Sequence, residues 1–104
     1  MRDILDAVRE AARKKLLFLP HAIKRMARPA DMISASEVER VVTRGEIIEA
    51  YPEDLRGPSC LMLGSGEDRR IHVVCSPKDE YLAIITAYVP DPSQWSPDFR
   101  RRVP

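Results

Sequence analysis

Apolar positions change their period twice along this chain, and the changes mark its organisation. Over residues 3–13, Ile4, Leu5, Val8, Ala11 and Ala12 recur at helical spacing, which predicts an amphipathic helix with Lys14 and Lys15 at its C-terminal end. Leu16-Leu17-Phe18-Leu19 is a short apolar connector entering the core. Pro20 suits the first turn of a second helix over roughly residues 20–28, which Pro29 closes because the residue before a proline is driven out of helical geometry. A third helix starts near Ser36. Ser36 with Glu39 and Ser34 with Glu37 are overlapping capping boxes, Val38, Val41 and Val42 make the apolar face, and Gly45 is the stop.

Past Gly45 the alternation becomes that of strands. Residues 46–51, 59–63, 71–75 and 82–89 read as four strands. Turn-forming Gly64-Ser65-Gly66-Glu67-Asp68 and Pro77-Lys78-Asp79-Glu80 separate the last three. Short turns between successive strands imply hairpins, hence an antiparallel meander. Residues 90–104 form an extended, proline-rich tail for which Trp95 is the anchor. The expectation is one α+β domain over residues 1–104: helical over 1–45, an antiparallel sheet of about four strands over 46–89, and the tail. At 104 residues there is room for one modest core.

Composition narrows the class. No apolar run reaches the roughly 18 residues of a membrane span, and the opening Met1-Arg2-Asp3-Ile4-Leu5-Asp6 lacks the uninterrupted apolar stretch of a signal peptide. Cys60 and Cys75 sit alone in strand-like runs without metal-ligand spacing, and buried reduced thiols fit a cytoplasmic protein. The net charge of +1 hides a segregation: residues 1–28 carry eight Lys/Arg against three acids, and residues 29–56 carry three against seven. The tail adds Arg100-Arg101-Arg102.

That segregation concentrates on the second helix. His21, Lys24, Arg25 and Arg28 fall at i, i+3, i+4 and i+7, a cationic stripe that repels itself unless an anion lies beside it. The anion is either an external phosphate or the acids of residues 46–54. His21 lies in the first turn, where the helix dipole keeps the neutral imidazole accessible for general-base work. His72 is mid-strand, on the face opposite Ile71, Val73 and Cys75, and Tyr88 closes the last strand. Two histidines without carboxylate or cysteine at ligand spacing do not make a zinc site, Gly64-Ser65-Gly66 lacks the helix and lysine of a phosphate loop, and no serine elbow exists. A metal-free and cofactor-free set of His, Arg, Lys and Tyr remains. It suits cleavage of an RNA phosphodiester, with proton transfer by histidine or tyrosine and charge stabilisation by arginine.

The block His21-Ala22-Ile23-Lys24-Arg25-Met26 resembles the H-A-x-x-R-M opening of a bacterial family known as domain of unknown function 4258. The likeness continues through Glu37-Val38, Gly45-Glu46-Ile47-Ile48-Glu49, Tyr51-Pro52, Pro58-Ser59-Cys60-Leu61, Ile71-His72-Val73-Val74, Ile85-Thr86-Ala87-Tyr88 and Pro90-Asp91 to Trp95. The resemblance implies a fold similar to RelE and BrnT toxins. It also implies a toxin of a toxin–antitoxin pair, acting on RNA or the ribosome beside a small zinc-finger antitoxin. On it, His21, Arg25, His72 and Tyr88 are the catalytic candidates, while the stripe itself puts Lys24 and Arg28 beside Arg25 to hold phosphate. Leu19-Pro20 departs from the family's polar cap before the histidine, and Arg28-Pro29-Ala30-Asp31-Met32 lengthens the next turn. The alternative is a non-enzymatic module that binds RNA or protein through the same stripe.

Overall fold

The computed structural model describes residues 3–104. Helix α1 (Ile4–Lys14) begins where the Asp3 carboxylate accepts the Asp6 backbone N–H at 2.9 Å, and it buries Val8 and Ala11. The chain then extends as β1 (Leu16–Phe18) and turns at Leu19 into α2 (Pro20–Met26), whose first helical residue is Pro20. This helix ends at Met26, short of residue 28, and the chain continues through a turn to α3 (Ala35–Arg44). Of the two overlapping capping boxes, the Ser34 one forms: Ser34 Oγ accepts the Glu37 N–H and the Glu37 carboxylate accepts the Ser34 N–H, each at 3.1 Å.

Strands β2 (Glu46–Tyr51), β3 (Ser59–Ser65), β4 (Arg70–Pro77) and β5 (Leu82–Tyr88) form the expected antiparallel meander. The sheet has five strands, not four. Its order is β1-β5-β4-β3-β2, with β1 parallel to β5 in the register Leu16↔Leu82 and Phe18↔Ile84. The apolar connector is therefore an edge strand lying within the helical half, and the sheet is mixed. What recruits it is the edge of β5: Leu82 donates its N–H to the Lys15 carbonyl at 2.8 Å, and the Leu19 N–H reaches the Ile84 carbonyl at 3.0 Å.

Alternation sorts the sheet into two faces. Cys60, Met62, Ile71, Val73 and Cys75 join the helical residues Val8, Ala22, Val38, Val41 and Val42 in the main core. The opposite face carries Leu61, Leu63 and His72, which are buried as well. Here the C-terminal segment supplies the cover: Trp95 packs on His72 and bridges to Arg102, while Arg100 and Arg102 pair with Glu46 and Glu49 of β2. Trp95 is 4% exposed, as befits an anchor. No helix among the described residues is long and apolar enough to cross a membrane.

Candidate functional site

The register of the β4–β5 hairpin places His72 directly opposite Tyr88. Both side chains leave the sheet on the face away from α1 and α3. The Tyr88 hydroxyl lies 3.3 Å from His72 Nδ1, and the rings meet edge to face with centroids 5.3 Å apart. His72 Nε2 lies 2.9 Å from the Phe99 carbonyl oxygen. A carbonyl can only accept, so Nε2 carries the proton, and in the neutral ring Nδ1 is the lone pair that accepts from Tyr88. His72 is fully buried, and Trp95 stacks edge-on against its ring at 4.4 Å. Burial holds its pKa below the ordinary histidine range, partly opposed by the Phe99 carbonyl and by the Glu49 charge. Burial likewise raises the Tyr88 phenol, against the opposing fields of Arg102 and Arg25.

Helix α2 packs beside β5 and brings Arg25 over this pair. Its guanidinium sits 4.8 Å from the Tyr88 ring centroid, a cation–π contact, and its Nε lies 3.6 Å from an Asp31 carboxylate oxygen. Asp31 is itself fixed, since its other oxygen accepts the Val89 N–H at 3.0 Å. Two buried polar atoms in this neighbourhood lack a hydrogen-bond partner: Arg25 Nε, and the hydroxyl of Thr86, two residues before Tyr88 on the same face.

The remaining stripe residues stand apart. His21, Lys24 and Arg28 are exposed, and none makes a side-chain hydrogen bond or ion pair among the described residues. Ala22 and Met26 point into the core, so around the short helix His21 lies on Arg25's side and Lys24 faces outward, while Arg28 is exposed in the turn beyond the helix. The structure thus joins Arg25, His72 and Tyr88 and does not bring His21 into contact with them. It also settles where the acids of residues 46–54 go. Glu46 pairs with Arg100, Glu49 with Arg102 in a two-bond clamp at 2.9 and 3.1 Å, and Asp54 with Arg56. None neutralises the α2 stripe.

Sequence reasoning missed the tail's share of this site. Arg102 stacks on Trp95 at 4.7 Å while gripping Glu49, and Tyr51, whose phenol is pushed up to about 12 by burial and by its bond to Glu49, completes the row. Phe99 takes φ 62, a left-handed backbone that a phenylalanine rarely adopts, as it presents its carbonyl to His72. The sequence signals were Trp95 in a proline-rich tail and the run Arg100-Arg101-Arg102, neither of which names a partner. No group of three or more His, Cys, Asp or Glu side chains able to hold a metal ion occurs among the described residues.

No match was found among curated proteins or among solved structures. The sequence model of one family, described as "Domain of unknown function (DUF4258)", matches residues 18–89, a span that includes His21, Arg25, His72 and Tyr88 but stops before Trp95, Phe99 and Arg102. This chain belongs to the DUF4258 family.

Proposed function

We propose that this chain is a metal-independent endoribonuclease, the toxin of a toxin–antitoxin pair. One observation carries the reading: a phenol hydroxyl rests on the bare nitrogen of a buried neutral imidazole, with a guanidinium over the phenol ring. Phosphodiester cleavage by the neighbouring 2′-hydroxyl needs a proton acceptor at that hydroxyl, positive charge at the phosphate, and a donor for the leaving oxygen.

The 2′-hydroxyl proton passes to the Tyr88 oxygen as the Tyr88 proton passes to His72 Nδ1. The freed 2′-oxygen bonds to phosphorus, and the bond from phosphorus to the 5′-oxygen breaks. Products are a 2′,3′-cyclic phosphate and a 5′-hydroxyl. The imidazolium formed on His72 is held by the Phe99 carbonyl and the Glu49 charge. Arg25 offsets the charge growing on the phosphoryl oxygens. His21, on the same side of α2, serves as the acid rather than the base, its imidazolium form giving a proton to the leaving oxygen. His72 works from beneath, through Tyr88, because both of its nitrogens are engaged. Lys24 and Arg28 take flanking phosphates, their charges being unspent within the protein.

Purified full-length chain, incubated with cellular RNA in excess chelator, tests this. Cleavage that leaves cyclic-phosphate ends and falls at least about a hundredfold in His21→Ala is expected. Undiminished cleavage by His21→Ala removes His21 from the mechanism, and no cleavage by the wild-type chain ends the enzyme reading. A second reading, a protein-binding module, has its own observation: a groove of 590 Å3 on the far side of α2, lined by Phe18, Ile23, Met26, Ala27, Met32 and Ile33, with Ile23 57% and Met32 66% exposed. Under it, Ile23→Asp abolishes partner binding and no RNA is cut.

A further inference from the structure

Four arginines line a second place, at the opposite edge of the sheet from α2. Arg40 and Arg44 of α3, Arg70 at the start of β4 and Arg100 of the tail border one hollow of 350 Å3, floored by Gly45, Leu63 and Gly64. Arg40 and Arg44 are four residues apart on one helix face, a repulsive spacing, and neither has a carboxylate partner among the described residues. Arg44 lies in the last turn, where the helix dipole favours a cation; Arg40 is a turn earlier and lacks that explanation. Arg70 donates to the Ser65 hydroxyl at 3.0 Å and, among the described residues, makes no hydrogen bond to an acid, though its charge is felt by Glu46. Glu46 is the one acid lining the hollow, and Arg100 already neutralises it. The hollow therefore holds three positive charges that nothing within it offsets.

We propose that this hollow is a phosphate-binding subsite, and that it holds the backbone of the same single-stranded RNA whose cleavage is assigned to Tyr88; in that respect it rests on the preceding reading. All four cations are arginines, whose planar forks pair with two phosphate oxygens at once, whereas a membrane or polyacid surface is served as well by lysine. The register sets the distance. Glu46, Leu63, His72 and Tyr88 occupy one row across β2, β3, β4 and β5, so the hollow and Tyr88 share one end of the sheet. Three interstrand steps at about 4.8 Å separate the ends of that row by roughly 14 Å, which about four nucleotides span at stacked spacing and fewer span when extended. An RNA strand that passes Tyr88 and crosses this end of the sheet delivers a downstream or upstream phosphate to Arg40, Arg44 and Arg70, the three arginines of the hollow that no acid holds.

The test uses the full-length protein, a fluorescent single-stranded RNA oligonucleotide with a 2′-O-methyl group at every position to prevent cleavage, and inorganic phosphate as competitor. Arg40→Gln/Arg44→Gln is compared with wild type and with Arg13→Gln/Lys15→Gln, an equal charge change on exposed residues at the end of α1. The expected result is a loss of about tenfold or more in oligonucleotide affinity for the α3 pair alone. The slope of affinity against salt should also shrink by about 1.4, at roughly 0.7 for each phosphate left without its arginine. Equal losses in both double variants would show a diffuse charge effect and overturn the subsite. Inorganic phosphate binding that depends on Arg40 and Arg44, with no oligonucleotide binding, would overturn RNA as the source of the phosphate. Binding of the oligonucleotide with this dependence, together with natural RNA that the wild-type chain never cuts, would refute the cleavage reading and leave the subsite standing.

Discussion

Glutamine at position 37 should destabilise the protein at neutral pH and cease to matter in acid. Glu37 is 3% exposed, and its carboxylate accepts four hydrogen bonds, from Ser34 N–H, Glu67 N–H and two guanidinium nitrogens of Arg69. The bond to Arg69, then the backbone donors, hold its pKa down at about 2 against the ordinary 4.5. A depressed acid contributes stability that is complete above its unfolded pKa and is lost as pH falls through the folded one. The shift corresponds to about 3 kcal/mol at roughly 1.4 kcal/mol per unit. Because Arg69 keeps 30% of its side chain in water, about 2–3 kcal/mol is the working figure for Glu37→Gln. The same Arg69 grips the Asp31 and Met32 carbonyls, so the loss also loosens the turn that presents Asp31 to Arg25. Urea unfolding of both proteins across a pH series measures the difference. It should be near 2–3 kcal/mol at neutral pH and shrink towards zero between about 4.5 and 2. A difference that stays constant through that window would refute the assignment of this charge.

Gly45→Ala should cost about 1–3 kcal/mol in urea unfolding, because a Cβ there would lie 2.5 Å from both the Leu63 and Val41 carbonyl oxygens, which are backbone and cannot swing away; a change below about 0.5 kcal/mol would contradict this close approach. Cys60 and Cys75 are fully buried with their sulfurs 3.9 Å apart, and the Cys60 contact and burial both push the Cys75 thiol up. Neither should react with an aromatic disulfide reagent in the native state, and both should react in denaturant; a thiol that reacts at once in the native protein would contradict the packing.

How much of this was legible follows from the range of each signal. Helices α1 and α3 and the β2–β5 meander announce themselves by local period and turn chemistry, and alternation alone put His72 on the face opposite Ile71, Val73 and Cys75. Strand β1 was not legible. Three residues between lysines and a proline carry no strand signature, and their partner lies 66 residues on in sequence, from Leu16 to Leu82. The pairing of His72 with Tyr88 was out of reach for a related reason: the irregularity between Val74 and Cys75 shifts the hairpin register, so counting outward from the turn misses it. The tail's arginines were visible as charge, yet nothing local pairs Arg102 with Glu49 or sends the Phe99 carbonyl to His72. Of the cationic stripe, Arg25 reaches Tyr88, whereas Lys24 and Arg28 are exposed.

If the Tyr88 hydroxyl, resting on His72, moves the proton in RNA cleavage, removing that hydroxyl alone should stop the reaction. The decisive comparison is single-turnover cleavage of one RNA by wild type and Tyr88→Phe, under chelator and with both proteins shown by urea unfolding to be fully folded under the assay conditions. The phenylalanine variant keeps the ring under Arg25 and loses only the hydroxyl. A rate reduced about a hundredfold or more, with RNA affinity retained, is the expected result. Equal rates for the two proteins would contradict the role given to Tyr88.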